Sequence, residues 1–275
     1  MSIATVEPPP QAERQRVRRP HYTPTLAAAQ EMARRGNLIP VGRTILADME
    51  TPVSAYRKIA RGRYSFLLES VEGGERVGRY SFIGCDPSFA LRFHEGQAHM
   101  RRFDSLGGSA TEKRPYTDPL DLIRDLLHDR TQVTVPGLPR FVGGLVGYIG
   151  YETVCAFERL PVAPTDDLQV PNGLLLGVDS LVAFDHVQHA MHVIALADTE
   201  RTDGDVRAAY RQATDRIETL ISRLHGPAPP LPVPPSPQVE RGQGGEARPA
   251  PPRPGVPRAR APPVVAHKSE KGLRD

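Results

Sequence analysis

Residues 66–84 read FLLESVEGGERVGRYSFIG. Two short runs of bulky apolar residues, 66–68 and 80–83, flank a centre of glycines and acids, which is the pattern of a strand, a turn and a second strand. Working outward, residues 64–102 continue as short runs rich in Tyr, Phe, Leu and Ile, broken at Gly73-Gly74, Asp86-Pro87 and Glu95-Gly96. The spacing predicts a meander of antiparallel strands, with a tight hairpin at Glu95-Gly96. Upstream, Thr51-Pro52 sets a hydroxyl N-cap before a proline at the first helical position. Val53, Tyr56, Ile59 and Ala60 then share one face until Gly62. A strand is expected over 38–46. A first helix carries Leu26, Ala29, Met32 and Ala33, with Gly36 as its left-handed closing residue.

Downstream, residues 105–117 read as a polar loop. Asp118 then caps a helix that opens on Pro119 and buries Leu122, Ile123, Leu126 and Leu127. Residues 141–151 (FVGGLVGYIGY) form a glycine-rich strand. Two further strands, 173–184 and 190–197, are joined by a hairpin across 185–189. A last helix spans 205–224, with Val206, Tyr210, Ala213, Ile217, Leu220, Ile221 and Leu224 on its apolar side. The fold class expected is α+β, a mainly antiparallel β-sheet or sandwich with several flanking helices. Residues 1–24 read as a disordered leader and 25–226 as the folded domain. Residues 227–275 hold 14 of the 29 prolines and no apolar period, so they read as a Pro/Arg-rich tail.

The charge follows the same division. The whole chain carries +3, and +4 of it falls between Glu240 and Asp275, so residues 1–239 sum to −1. The foldable part has no basic excess to attract phosphates, which excludes a nucleic-acid-binding reading. No apolar run approaches the ~20 residues of a membrane span, and the start lacks a signal-like apolar stretch, so a cytoplasmic location is expected. Cys85 and Cys155 have neither disulfide-scaffold density nor metal-site spacing and read as packed thiols.

In Leu67-Leu68-Glu69-Ser70, apolar alternation ends in an acid and a hydroxyl. A free amino acid needs such groups: acceptors for its ammonium, donors for its carboxylate and an apolar slot. Arg79 and Tyr80 open the next strand and could face Ser70. The alternative is an ordinary strand end, with Glu69 solvated and Ser70 in a turn. His186, His189 and His192 form an HxxHxxH string, but it crosses a turn into a strand, where that spacing does not align ligands. No metal site is expected. Gly143, Gly144, Gly147 and Gly150 lack the context of a dinucleotide or P-loop cradle. Close backbone packing or a bulge explains them better. No Ser or Cys nucleophile stands in a recognisable catalytic setting, and no catalytic residue is assigned.

LLES followed by VEGGERVGRYSFIG resembles the N-terminal, tryptophan-sensing domain of anthranilate synthase component I. FVGGLVGYIGYE at 141–152, DDL at 166–168 and GLLLGVDSLVAFDHVQHAMHVIA at 173–195 resemble later strands of the same family. The resemblance covers about 25–240. It implies that tryptophan, the end product, binds partly on the LLES strand. Carried over by position, Ser70 is the main contact, with Glu69 and Leu68 beside it. Pro52 matches a proline bordering the pocket, and Arg79 and Tyr80 are further contacts. The related aminobenzoate synthase component I shares the fold; LLESVEGGER favours the anthranilate enzyme.

The resemblance implies an enzyme that converts chorismate and glutamine-derived ammonia to anthranilate and pyruvate. It also implies Mg2+ held by a larger chorismate-binding domain, and a glutamine amidotransferase partner (component II). That larger domain is not recognisable here: after Glu240 the text turns to Arg, Pro, Ala and Gly. The expectation is a domain truncated before its catalytic part, with no cofactor of its own and a tail read out of frame. It would lack catalysis alone; a stand-alone tryptophan-binding module is the alternative reading.

Overall fold

The computed structural model describes residues 21–69, 78–104, 108–160 and 169–230. They fall in a unit that ends at Pro230; residues 231–275, with the expected tail, lie outside the described residues, as does most of the leader.

Helix α1 (Leu26–Met32) leads into β1 (Leu38–Leu46), then α2 (Pro52–Ile59), β2 (Ser65–Leu68), β3 (Tyr80–Cys85), β4 (Phe89–His94), β5 (Gln97–Phe103) and β6 (Ser109–Pro115). Helix α3 (Pro119–Leu127), β7 (Gly144–Ile149), a 3-10 turn at Tyr151–Ala156, β8 (Gly173–Val178), β9 (Ser180–Asp185), β10 (Ala190–Asp198) and α4 (Val206–His225) complete the order. Two five-stranded antiparallel sheets result. The first runs β1-β10-β9-β3-β2 and the second β6-β5-β4-β8-β7.

Burial follows from strand alternation. On β9, Val182 points to a core shared with the helices, including Ala213, Ile217 and Leu220 of α4, while Leu181 and Ala183 point to a core between the sheets. On β10, Met191, Val193 and Ala195 take the helix side and Ile194 and Leu196 the sheet side. The second sheet turns Leu91, Phe93, Met100 and Leu175 toward Leu122 of α3. The layers are therefore helices, sheet, sheet and helix. Strands β9 and β10 are buried on both faces, which is why they read as continuous apolar runs without alternation.

Helix starts are fixed locally. Thr51 accepts from the Ser54 amide at 3.1 Å while Ser54 Oγ accepts from the Thr51 amide at 2.9 Å, a reciprocal cap. Asp118 accepts from the Leu120 amide at 2.7 Å, and Asp205 from Arg207 and Ala208 at 2.9 and 3.1 Å. Each such cap contributes about 1 kcal/mol. Along α4, burial of a residue such as Ile217 stabilises far more, and its truncation to Ala costs about 2–5 kcal/mol.

The structure corrects several expectations. Residues 64–102 are not one meander: β2 and β3 pair in one sheet, β4 and β5 in the other, and the chain changes sheet at Asp86-Pro87. The expected strand 173–184 is likewise two strands in different sheets, divided at Asp179. The polar loop 105–117 contains β6, polar because it is a solvated edge. Gly36 is not left-handed; a Cβ there would lie 2.5 Å from the Thr131 carbonyl oxygen, so close backbone approach requires the glycine. Leu127 is exposed rather than buried, and so is Cys155. The Glu95-Gly96 hairpin forms as expected, with both residues at positive φ and His94 opposite Gln97.

Candidate functional site

The end of β2 lies beside the start of β3, because the two strands are antiparallel with Leu68 opposite Phe82. The β9–β10 hairpin reaches the same end, with Tyr80 opposite Asp185 and Asp185 opposite Ala190. Strand β1 also finishes there, Leu46 opposite Ala190, and the Ala47 amide donates to the His189 carbonyl at 3.1 Å. A turn through residues 47–51 then delivers Pro52 at the head of α2, which packs on β2 and β3 and bonds β2 through Tyr56 Oη and Ser65 Oγ at 2.8 Å.

At this end of the sheet the sequence candidates take different states. Leu68 is 46% exposed and Glu69 is exposed. Pro52 is buried, while Arg79 and Tyr80 are half-buried. Ser70 lies outside the described residues. Leu46, Met49, Val53 and Val187 are exposed here as well, Met49 at 94%. These side chains stand on separate elements, Leu46 and Leu68 on opposite edges of the sheet.

Arg79 is already engaged. Its Nη2 donates to Asp185 Oδ2 at 2.7 Å, its Nε lies 3.2 Å from both carboxylate oxygens, and its guanidinium carbon sits 4.9 Å from the Tyr80 ring centroid. The Asp185 side chain is 0% exposed and also accepts from the Val187 and Gln188 amides at 3.0 and 3.1 Å. Burial presses its carboxyl upward, but Arg79 and the two turn amides outweigh it and hold it below the ordinary carboxylate range. Sequence reasoning missed Asp185. An acid opening a hairpin turn was a signal for its amide bonds, but nothing local pointed to Arg79.

The histidines serve separate elements. His186 Nε2 lies 2.8 Å from Ser81 Oγ, and the buried His192 places Nδ1 3.0 Å from Thr44 Oγ1. Among the described residues no three carboxylate, imidazole or thiol groups converge as a metal site requires.

A cavity of about 250 Å³ opens at the opposite end of β10, lined in part by Leu38, Arg130, Asp179, Asp198 and Arg201. Several of its charges pair with each other: Arg130 meets Asp198 at 2.5 Å, and Arg201 meets Asp198 at 3.0 Å and Asp179 at 2.6 Å. These pairs link the end of β10 to Asp179 between β8 and β9 and to Arg130 beyond α3.

Comparison with known proteins points to one class, a biosynthetic enzyme component larger than this chain. Over 212 residues the chain is 40% identical to anthranilate synthase component 1 of Synechocystis sp., covering 76% of this chain and 40% of that protein. It is 34% identical over 199 residues to the protein of that name from Acetivibrio thermocellus, and 41% over 196 residues to that from Pseudomonas aeruginosa. Those matches cover 72% and 70% of this chain, and 39% and 38% of the relatives. The chain is homologous to anthranilate synthase component I, and it spans about two fifths of the length of these relatives. The crystal structure of anthranilate synthase component I from Streptococcus pneumoniae TIGR4 matches at 25% identity and a TM-score of 0.42, covering 67% of this chain and 37% of that one. No family model matches the chain. Among the described residues no helix is long and apolar enough to cross a membrane.

Proposed function

We propose that residues 25–226 form the tryptophan-sensing regulatory domain of an anthranilate synthase component I. The enzyme makes anthranilate and pyruvate from chorismate and glutamine-derived ammonia, in tryptophan biosynthesis. The observation that carries this reading is the end of β2, where Leu68 and Glu69 lie open at the edge of the sheet. An exposed apolar side chain with an adjacent acid offers a contact for an aromatic ring and an acceptor for an ammonium group.

Leu68, Glu69 and Ser70 are the proposed contacts, with Pro52 bordering the pocket. Arg79 and Tyr80 act at the margin, since the guanidinium is held by Asp185. The half-open geometry fits a pocket completed by further polypeptide. The chemistry, its Mg2+ and much of the contact with a glutamine amidotransferase subunit belong to that further part, and the protein works in the cytoplasm.

Calorimetric titration with L-tryptophan tests this reading. The chain alone is expected to bind weakly or not at all, and binding is expected once the unmatched part of a relative's component I is supplied in trans. Micromolar binding by the chain alone would instead favour a stand-alone tryptophan-binding module. No binding under either condition would remove the sensing role.

A further inference from the structure

The turn between β9 and β10 holds its two flanking strands at once. The His186 amide donates to the Arg79 carbonyl at 2.9 Å and His186 Nε2 lies 2.8 Å from Ser81 Oγ, which fixes the start of β3. The Ala47 amide donates to the His189 carbonyl, which fixes the end of β1. Within the turn, His189 takes a left-handed backbone at φ 50°, and the Val187 and Gln188 amides are tied to Asp185 Oδ1. Asp185 therefore braces the turn from inside.

Its second oxygen reaches outside the turn. Oδ2 accepts from Arg79 Nη2 at 2.7 Å, with Nε 3.2 Å from both carboxylate oxygens. Such a two-pronged contact sets the plane of a guanidinium as well as its position. The guanidinium carbon in turn lies over the Tyr80 ring, 4.9 Å from its centroid. The Asp185 side chain is wholly buried while that of Arg79 is 38% exposed, so the acid is the anchor and the arginine the group it places. Register connects the same residues to the end of β2. Phe82 stands opposite Leu68, and Tyr80, two positions before Phe82, lies on the face of the sheet that Leu68 shares.

We propose that Asp185 is a positioning residue for the amino-acid ligand: through Arg79 it sets the Tyr80 ring on the face shared with Leu68. This rests on the reading of that strand end as a tryptophan site. The main-chain bond from His186 holds the β3 backbone without the carboxylate, so the separate task of Asp185 is to hold side chains. Removing its charge leaves the strand pairing in place and lets Arg79 turn to water and away from Tyr80. A ring already held in one orientation meets an indole without losing rotamer freedom, and releasing it weakens the complex.

Calorimetry with L-tryptophan on the whole chain, with the unmatched part of a relative's component I in trans, tests this. Asp185→Asn should raise the dissociation constant about tenfold. Arg79→Lys keeps a charge for the acid but gives up the two-pronged contact, and should act alike. The double variant should bind no more weakly than either one, because both changes remove a single contact. Glu218→Gln breaks a different ion pair, with Arg43, and should leave the constant unchanged, which separates positioning from a general loss of stability. Equal affinity of the unaltered and Asp185→Asn chains, additive losses in the double variant, or an equal loss through Glu218→Gln each overturn the positioning role alone. No binding by the unaltered chain under these conditions overturns the tryptophan reading, and the positioning role with it. If Asp185→Asn fails to fold, Arg79→Lys decides, and an unchanged constant refutes the proposal.

Discussion

Arg79 and Asp185, 106 positions apart in sequence, form a two-pronged ion pair that joins the start of β3 to the turn between β9 and β10. The carboxylate faces inward and the guanidinium stays partly open to solvent. The pair is therefore asymmetric: Asp185 depends on its partners for solvation, and Arg79 can fall back on water.

Substitution at Asp185 should separate its two roles. Asp185→Asn keeps an acceptor for the Val187 and Gln188 amides and gives up the charge, whereas Asp185→Ala gives up both. The alanine variant should be less stable than the asparagine variant by about 1–2 kcal/mol, read as a difference in urea midpoints. Equal midpoints would show that the turn amides do not need the side chain.

Acid should lower the stability of the protein over two separate pH ranges. Burial holds the His192 ring below its ordinary value, so near about pH 6.5 the unfolded ring takes up a proton that the folded ring refuses. Its contribution is complete above that pH and is lost as pH falls. Asp185, Glu50 and Glu218 are also held low: burial is outweighed by Arg79 at the first, by Lys58 and Ser54 at the second, and by Tyr22 and Arg43 at the third. Their contribution is present above about pH 4 and is lost below it, through the lowered values. Urea midpoints against pH should show both declines, and His192→Gln should abolish the first alone.

Gly147→Ala should weaken the β7–β8 ladder. A Cβ at this position would stand 1.8 Å from the Leu174 carbonyl oxygen, a backbone atom that can move only with its strand. A loss of about 1–3 kcal/mol is expected in denaturant melts. An unchanged midpoint would mean that the strands separate freely here.

The thiols should differ in reactivity. Cys155 is exposed, while Cys85 is buried and its pKa is pushed up to about 12, by burial first and by Asp86 second. A disulfide reagent should titrate one thiol in the native chain and two in denaturant. Two fast thiols in the native protein would contradict the packing around Cys85.

Ser70→Ala, placed in a component I that contains the whole enzyme, should weaken inhibition by tryptophan while leaving turnover nearly unchanged. Inhibition constants measured beside the unaltered protein decide it, and identical values would remove Ser70 from the site.

Elements with local causes were legible before the structure. Thr51-Pro52, Asp118-Pro119 and Asp205 announce helices because a cap is satisfied within three residues. Strand β6 was not legible, since an edge solvated on both faces has no apolar alternation to read. The sheet changes at Asp86-Pro87 and Asp179 were hidden for a different reason: alternation tells which side chains share a face, not which sheet the face belongs to. At the candidate site, resemblance singled out Leu68 and Glu69, and the structure sets them exposed at the end of an edge strand. Asp185 escaped because its meaning depends on a distant partner.

The pairing of β1 with β10, from Leu38 opposite Asp198 to Leu46 opposite Ala190, also bears on synthesis. At about 5–20 residues per second, β1 leaves the ribosome roughly eight to thirty seconds before its partner exists. Through that interval Ile39 and Val41, fully buried in the finished fold, have no sheet to join. Chaperone occupancy during translation should therefore persist until β10 emerges, and a circular permutant that makes β10 next to β1 should shorten that dependence.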